Sequence, residues 1–308
     1  MSRVDLAEAP AHVRSRARAR SVGDRLRRAW RPFANNPQAV VGLGILVAFV
    51  LVGVFAPWIA PYDPLQKQYG EGFKLKRLLP PSRAHLFGTT LYGRDVFSQV
   101  VMGTRTALFV GIVTALTVSL VGLNVGLWAG YRGGTVDTVL MRVTDIVYGV
   151  PILPFGIVAL SILTRSVWWI IGVMCILYWP TTARVIRSQV LSLRSRPFID
   201  AARIAGSGHL RIVYRHIAPN VLPQAFVHGV FAVAWAITTE ASINFLGFGD
   251  PYTISWGTVI YDVFTSMVTY TAWWWFVPPG VCIMLVVTAF YFIGRAFEEV
   301  ANPRLRAR

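Results

Sequence analysis

From Ala39 to Ala60 the chain runs roughly 22 residues without a single charge, and that stretch limits the possible folds more than any other. As a helix it is about 33 Å long, enough to cross the roughly 30 Å of hydrocarbon in a bilayer. Five further apolar stretches follow: Thr106 to Gly130, Val139 to Leu163, Val167 to about Ile186, Val221 to about Phe248, and a last one reaching about Gly294. Trp273, Trp274 and Trp275 stand at the start of the last as an interfacial anchor. Backbone polar groups find no partner in lipid, so the expectation is an all-α membrane protein with six transmembrane helices. With 55% hydrophobic and only 14% charged residues, neither a disordered chain nor an ordinary soluble domain fits. The first stretch is too long, and its basic leader too extended, for a cleaved signal peptide. It reads as an uncleaved first span.

Net charge is +16, which raises nucleic acid as a partner. No recognition motif accompanies the arginines, however, and most of them flank apolar stretches, so they read as topology signals. Nine arginines fall within residues 1–37, a segment expected to be a flexible cytoplasmic tail. Assigning that tail inside puts roughly 22 basic residues inside and about eight outside, with both termini cytoplasmic. Lys67, Lys74, Lys76, Arg77, Arg83 and Arg94 lie on the external side and work against the rule locally.

Catalytic and metal chemistry find little support. His12, His85, His209, His216 and His228 are scattered without nucleophile or metal-ligand spacing, and Cys175 and Cys282 lie inside apolar stretches. No GxxxxGK[ST] loop is present, so the chain does not cradle a nucleotide that way. Energy then comes from a partner, or the protein is passive. A secondary transporter would need internal symmetry and coupling-ion groups at mid-membrane; no convincing inverted repeat is found and intramembrane acids are few.

The polar residues inside the spans are candidates for function, because lipid disfavours them. Arg142 and Asp145, at i, i+3, are expected to satisfy each other or a partner near the inner interface. Glu240 and Asn244 share one face of the fifth span; they either carry a function at that depth or make a structural bond to a partner. Pro151 and Pro154 predict a bent third span. Gly111, Gly122 and Gly126 supply small positions for close helix contact in the second.

Between the fourth and fifth spans lies a polar island of about 28 residues, far longer than the usual helix–helix connection. Pro197 suits a first helical position and Asp200 its first turn, and Gly206-Ser207-Gly208 ends the helix. Phe198, Ala201, Ala202 and Ala205 fall at i, i+3, i+4, i+7 and form a small-residue face open to close approach. A second helix from His209 to His216 places Leu210, Val213, Tyr214 and Ile217 on one stripe, with Arg211 and Arg215 opposite, before Pro219 stops it. From periodicity alone an ordinary interfacial helix pair explains the same residues.

Asp200-Ala201-Ala202, then Gly206, then His216-Ile217-Ala218-Pro219-Asn220 resemble the "EAA" loop of permease subunits in bacterial ABC importers, with Asp200 where Glu is commonest. His85-Leu-Phe-Gly-Thr-Thr-Leu-Tyr-Gly-Arg-Asp95, Gly103-Thr-Arg105, Tyr131 to Asp137, Glu240 to Gly249 and Ser255-Trp-Gly257 resemble the C-type permease subunits of dipeptide and oligopeptide importers. Thr90 stands where those subunits usually carry Asp. The tail Gly294 to Pro303 follows the family only loosely.

This resemblance implies a type I importer permease fold: a tail (1–37), a first span (38–60), an external loop (61–104), a core of spans two to six (105–298) and a cytoplasmic tail (299–308). Its cytoplasmic coupling-helix loop covers residues 193–222. Phe198, Asp200, Ala201, Ala202, Ala205 and Gly206 would engage an ATPase, and Glu240 and Asn244 would shape the translocation path or the subunit contact. The implied partners are a homologous B-type permease subunit, two cytoplasmic ATPase domains that use ATP and Mg²⁺, and an external substrate-binding protein that delivers peptide. The chain itself would be non-catalytic and bind no cofactor or metal, and it would lie in the bacterial inner membrane. Related importers carry nickel chelates or glutathione, and composition does not choose among these cargoes.

Overall fold

The computed structural model describes residues 36–301, so the arginine-rich segment and the basic tail expected at the two termini lie almost wholly outside the described residues. Helices account for nearly all regular structure among the described residues, beside two isolated bridges, Tyr69–Leu75 and Thr89–Asp95. Five helices are long and apolar enough to cross a membrane: α1 (Pro37–Ile59), α2 (Val96–Arg132), α5 (Val167–Leu193), α7 (Ala218–Ile243 with the turns that flank it) and α9 (Trp273–Ala301). Counted together as one broken span, α3 (Gly134–Tyr148) and α4 (Ile152–Ile162), bent by 80° at the break, make a sixth. The bend expected from the prolines is thus a full interruption: Gly149 and Val150 lie outside both helices, and Pro151 caps the second. The short α6 (Pro197–Ile204) and α8 (Trp256–Thr265) sit at opposite ends of the bundle.

Local chemistry fixes the boundaries. Asn36 caps α1 by accepting from the backbone N–H groups of Gln38 and Ala39, with Pro37 in the first position. Asp95 caps α2 by accepting from Ser98 N at 2.8 Å, so that helix starts ten residues before the predicted Thr106. Its 37 residues make about 55 Å, longer than the hydrocarbon needs. Ser98, Gln99 and Thr104 diluted the apolar signal, although the cap itself was readable. Pro180 leaves α5 unbroken through Leu193, beyond the expected end near Ile186.

The core is held by close helix contact. Along α2, Gly122, Gly126 and Gly130 repeat every fourth residue against α5. A Cβ on them would lie 2.6–2.7 Å from Thr182 Cβ, Ala183 O and Val190 Cβ, so only hydrogen fits. Gly111 makes a similar approach to Ile237 and Val233 on α7 instead. Two ion pairs tie α3 to α5: Asp137 with Arg187 in a bidentate pair at 2.5 and 2.6 Å, and Asp145 with Arg184 at 2.8 Å. Arg184 also lies 4.2 Å above the Tyr148 ring. The expected Arg142–Asp145 pair is therefore corrected: Asp145 is taken by α5, and exposed Arg142 joins none of the described ion pairs.

Candidate coupling site

α6 is built as the sequence suggests at both ends. Pro197 opens it, Asp200 sits in its first turn and Arg203 in its last, where each suits the helix dipole. At the C-terminus Ser207 N donates to Ala202 O at 3.0 Å and Gly206 N donates to Arg203 O at 2.9 Å, with Gly206 at φ 77. That double bond pattern needs a left-handed residue, which glycine supplies without strain. Asp200 and Arg203 pair at 3.1 Å in the open, worth little in stability.

Burial divides the helix into two faces, and the division differs from the expected one. Ile199 is fully buried and Ala202 is 8% exposed, both packed on Tyr131, Val190, Ile212 and Val213 of the bundle. Phe198 is 43% and Ile204 88% exposed, beside exposed Ala201 and Ala205. Ala202 is thus corrected from a docking position to an anchor: Ile199, three residues before it, draws that side inward. The free face is Phe198, Ala201, Ile204 and Ala205. It is apolar, shallow and about 12 Å long.

The second island helix does not stop at Pro219. His209–Arg211, a π-helical stretch Ile212–Ile217 and α7 form one continuous rod. The wider π turn lies immediately before Pro219, which lacks an N–H and would crowd a regular α-turn there. Val213 and Ile217 are buried as expected, with Ile212, whereas Leu210 and Tyr214 are exposed. Tyr131 OH and His209 Nδ1 lie 2.8 Å apart and join the end of α2 to the start of this rod. Tyr214 OH donates to Asn124 Oδ1 at 2.7 Å. Neither contact carries a local sequence signal, because the partners are 78 and 90 residues apart.

At the opposite end several of the stretches singled out in the sequence meet. Asn244 Nδ2 donates to Glu240 Oε1 at 2.5 Å and to Ser255 Oγ at 2.6 Å, and Ser255 caps α8. Trp256 Nε1 donates to Val100 O at 2.9 Å, and its indole covers Gly103. A Cβ on Gly257 would lie 2.4 Å from Ala241 O, so α8 rests directly on α7. Nearby, His85 Nδ1 and Asp95 Oδ1 are 3.0 Å apart, both buried, and Asp95 Oδ2 accepts from Ser98 N and Oγ. Glu240 is 2% and Asn244 3% exposed within this single chain, so neither reaches a path wall or a subunit surface. The expectation for that pair is corrected: they bind α7 to α8, because a carboxylate in an apolar bundle is stable only when its neighbours donate to it.

The α6 end holds a short helix whose inner face is packed on the bundle while its outer face is apolar and open, and among the described residues no cluster could hold a metal. Residues 122–307 match the profile of the binding-protein-dependent transport system inner membrane component family, more than half of the chain. The chain belongs to that family. Residues 25–81 match the N-terminal transmembrane domain of oligopeptide transport permease C. Among relatives of this inner membrane component, the oligopeptide transport system permease protein OppC of Bacillus subtilis is 35% identical over 89% of this chain and 88% of its own. The dipeptide transport system permease protein DppC of the same organism is 32% identical over 90% and 85%. A chain from inward-facing crystals of the MetNI methionine ABC transporter superposes with a TM-score of 0.52 at 18% identity, covering 66% of this chain and 96% of that one. That likeness concerns the fold, a type I importer permease bundle, and the family places this multi-pass chain in a membrane.

Proposed function

We propose that this chain is the C-type permease subunit of an ATP-driven importer of dipeptides or oligopeptides. Relatives above 30% identity over about nine-tenths of the chain are named for those cargoes, which favours peptides over nickel chelates or glutathione. In this reading the protein forms half of the translocation path with a B-type subunit and receives peptide from an external binding protein. ATP and Mg²⁺ are used by two ATPase domains at the α6 end, which faces the cytoplasm.

The observation that carries the coupling role is the geometry of α6. Its inner face, Ile199 and Ala202, is fastened to the ends of α2, α5 and α7, while its outer face is apolar and free. A push on Phe198, Ala201, Ile204 and Ala205 therefore passes to three spans through packed side chains rather than through a loose loop. The test is Ala201→Arg in the assembled transporter. Membrane insertion should be normal, with ATPase co-purification or peptide-stimulated ATP hydrolysis lost. Normal uptake by that variant would refute the coupling role.

A further inference from the structure

Between α1, α2, α7 and α9 lies a groove of about 540 Å³. Its lining is almost wholly hydrocarbon, including Leu43, Leu120, Phe226, Val230 and Phe290, and the one hydroxyl among the lining residues, Ser119 Oγ, has no partner. The mouth is open, because Leu116, Leu120 and Phe226 are exposed. All four helices are long and apolar enough to cross the membrane, which puts the groove at hydrocarbon depth.

Size and charge restrict what can fill it. A methylene takes about the volume of a liquid water molecule, roughly 30 Å³, so the space accepts about 18 of them, one acyl chain. Toward the α6 end, the π-helical stretch that leads into the same rod carries Arg215, two turns before the groove residues Leu222 and Phe226. Arg211 stands one turn further. Both arginines are exposed and join none of the described ion pairs. Arg215 lies about 10 Å beyond Leu222, the distance from an upper acyl chain to its headgroup. An exposed cation at headgroup level attracts anionic lipid.

We propose that this groove binds one acyl chain of an anionic phospholipid whose phosphate meets Arg215 and Arg211. The inference rests on the chain being a membrane permease and is independent of what it transports. A Cβ on Gly229 would lie 2.9 Å from Ser119 Oγ, so Gly229→Leu fills the groove from within, and Leu120→Trp blocks its mouth.

The assembled transporter is placed in phosphatidylcholine vesicles with or without phosphatidylglycerol, either lipid carrying a photoactivatable acyl chain. On the unaltered chain, labelling should concentrate in residues 112–123 and 222–233 and be heavier from phosphatidylglycerol. Gly229→Leu and Leu120→Trp should each lower it roughly tenfold, the loss expected once about two methylenes no longer fit. Arg215→Gln should erase the preference for phosphatidylglycerol and leave phosphatidylcholine labelling in place. Labelling of the unaltered chain no heavier there than on exposed Val158 and Ile162 of α4 would overturn the proposal. So would equal labelling in both filled variants, or a cysteine at Leu120 cross-linking to the partner permease, which would identify a protein occupant instead.

Discussion

The two ends of this bundle solve opposite problems with the same kinds of residue. At the end carrying α8, polar side chains are buried and bonded to one another, Glu240 with Asn244 and Ser255, and separately His85 with Asp95 and Ser98, while Asn244 Oδ1 and His85 Nε2 have no partner. At the α6 end, charged pairs such as Asp200–Arg203 are exposed and an apolar face is left uncovered. Buried polar groups must be paired or they cost several kcal/mol, so the first end is rigid by necessity. An uncovered apolar face on a small helix is stable only if something else covers it in the assembly. At one end the chain's own polar side chains bond its helices to one another, and at the other an apolar helix face is left open.

The contrast can be broken most forcefully at the buried end. Asn244→Leu removes the donor to both Glu240 and Ser255 and should destabilise the fold by about 3 kcal/mol, seen as early thermal inactivation or loss of folded protein in detergent. Glu240→Gln keeps volume and a bond to Asn244, so it should lose far less. Gly126→Val forces a methyl group into Ala183 O, and by overpacking about 1–3 kcal/mol should be lost in the same assay.

Adjacent residues of α6 should behave differently. Ala202→Arg buries a charge against Tyr131 and Val190 and should reduce folded yield by an amount comparable to Gly126→Val. Ala201→Arg should leave thermal stability within about 0.5 kcal/mol and act only on ATPase engagement. Asp137→Asn weakens the half-exposed pair with Arg187 and should cost about 1 kcal/mol. The smallest effect is expected for Asp200→Asn, at or below about 0.5 kcal/mol of stability.

Much of this was readable in advance where the signal is local. Span number, the break near Pro151, the first position of α6 and its glycine stop all follow from short-range rules about hydropathy, proline and left-handed turns. What misled were periodicities short enough to fit two faces. Phe198, Ala201, Ala202 and Ala205 form a plausible stripe, yet Ile199 outweighs them, and its burial rotates Ala202 inward. Arg142 and Asp145 are ideally spaced for each other, yet Arg184, 39 residues away from Asp145, is nearer in space. Pro219 signals a stop that the preceding π turn removes.

Sequence by itself determined that this chain must cross a bilayer several times and carry a structured polar segment between two of those crossings, because uncharged stretches of that length have no other stable solvent. Which side of α6 faces outward, and that Glu240 and Asn244 bond α7 to α8, emerge only when the helices pack. Both depend on what stands opposite each side chain, and those neighbours come from helices tens of residues away, whose approach is set by packing.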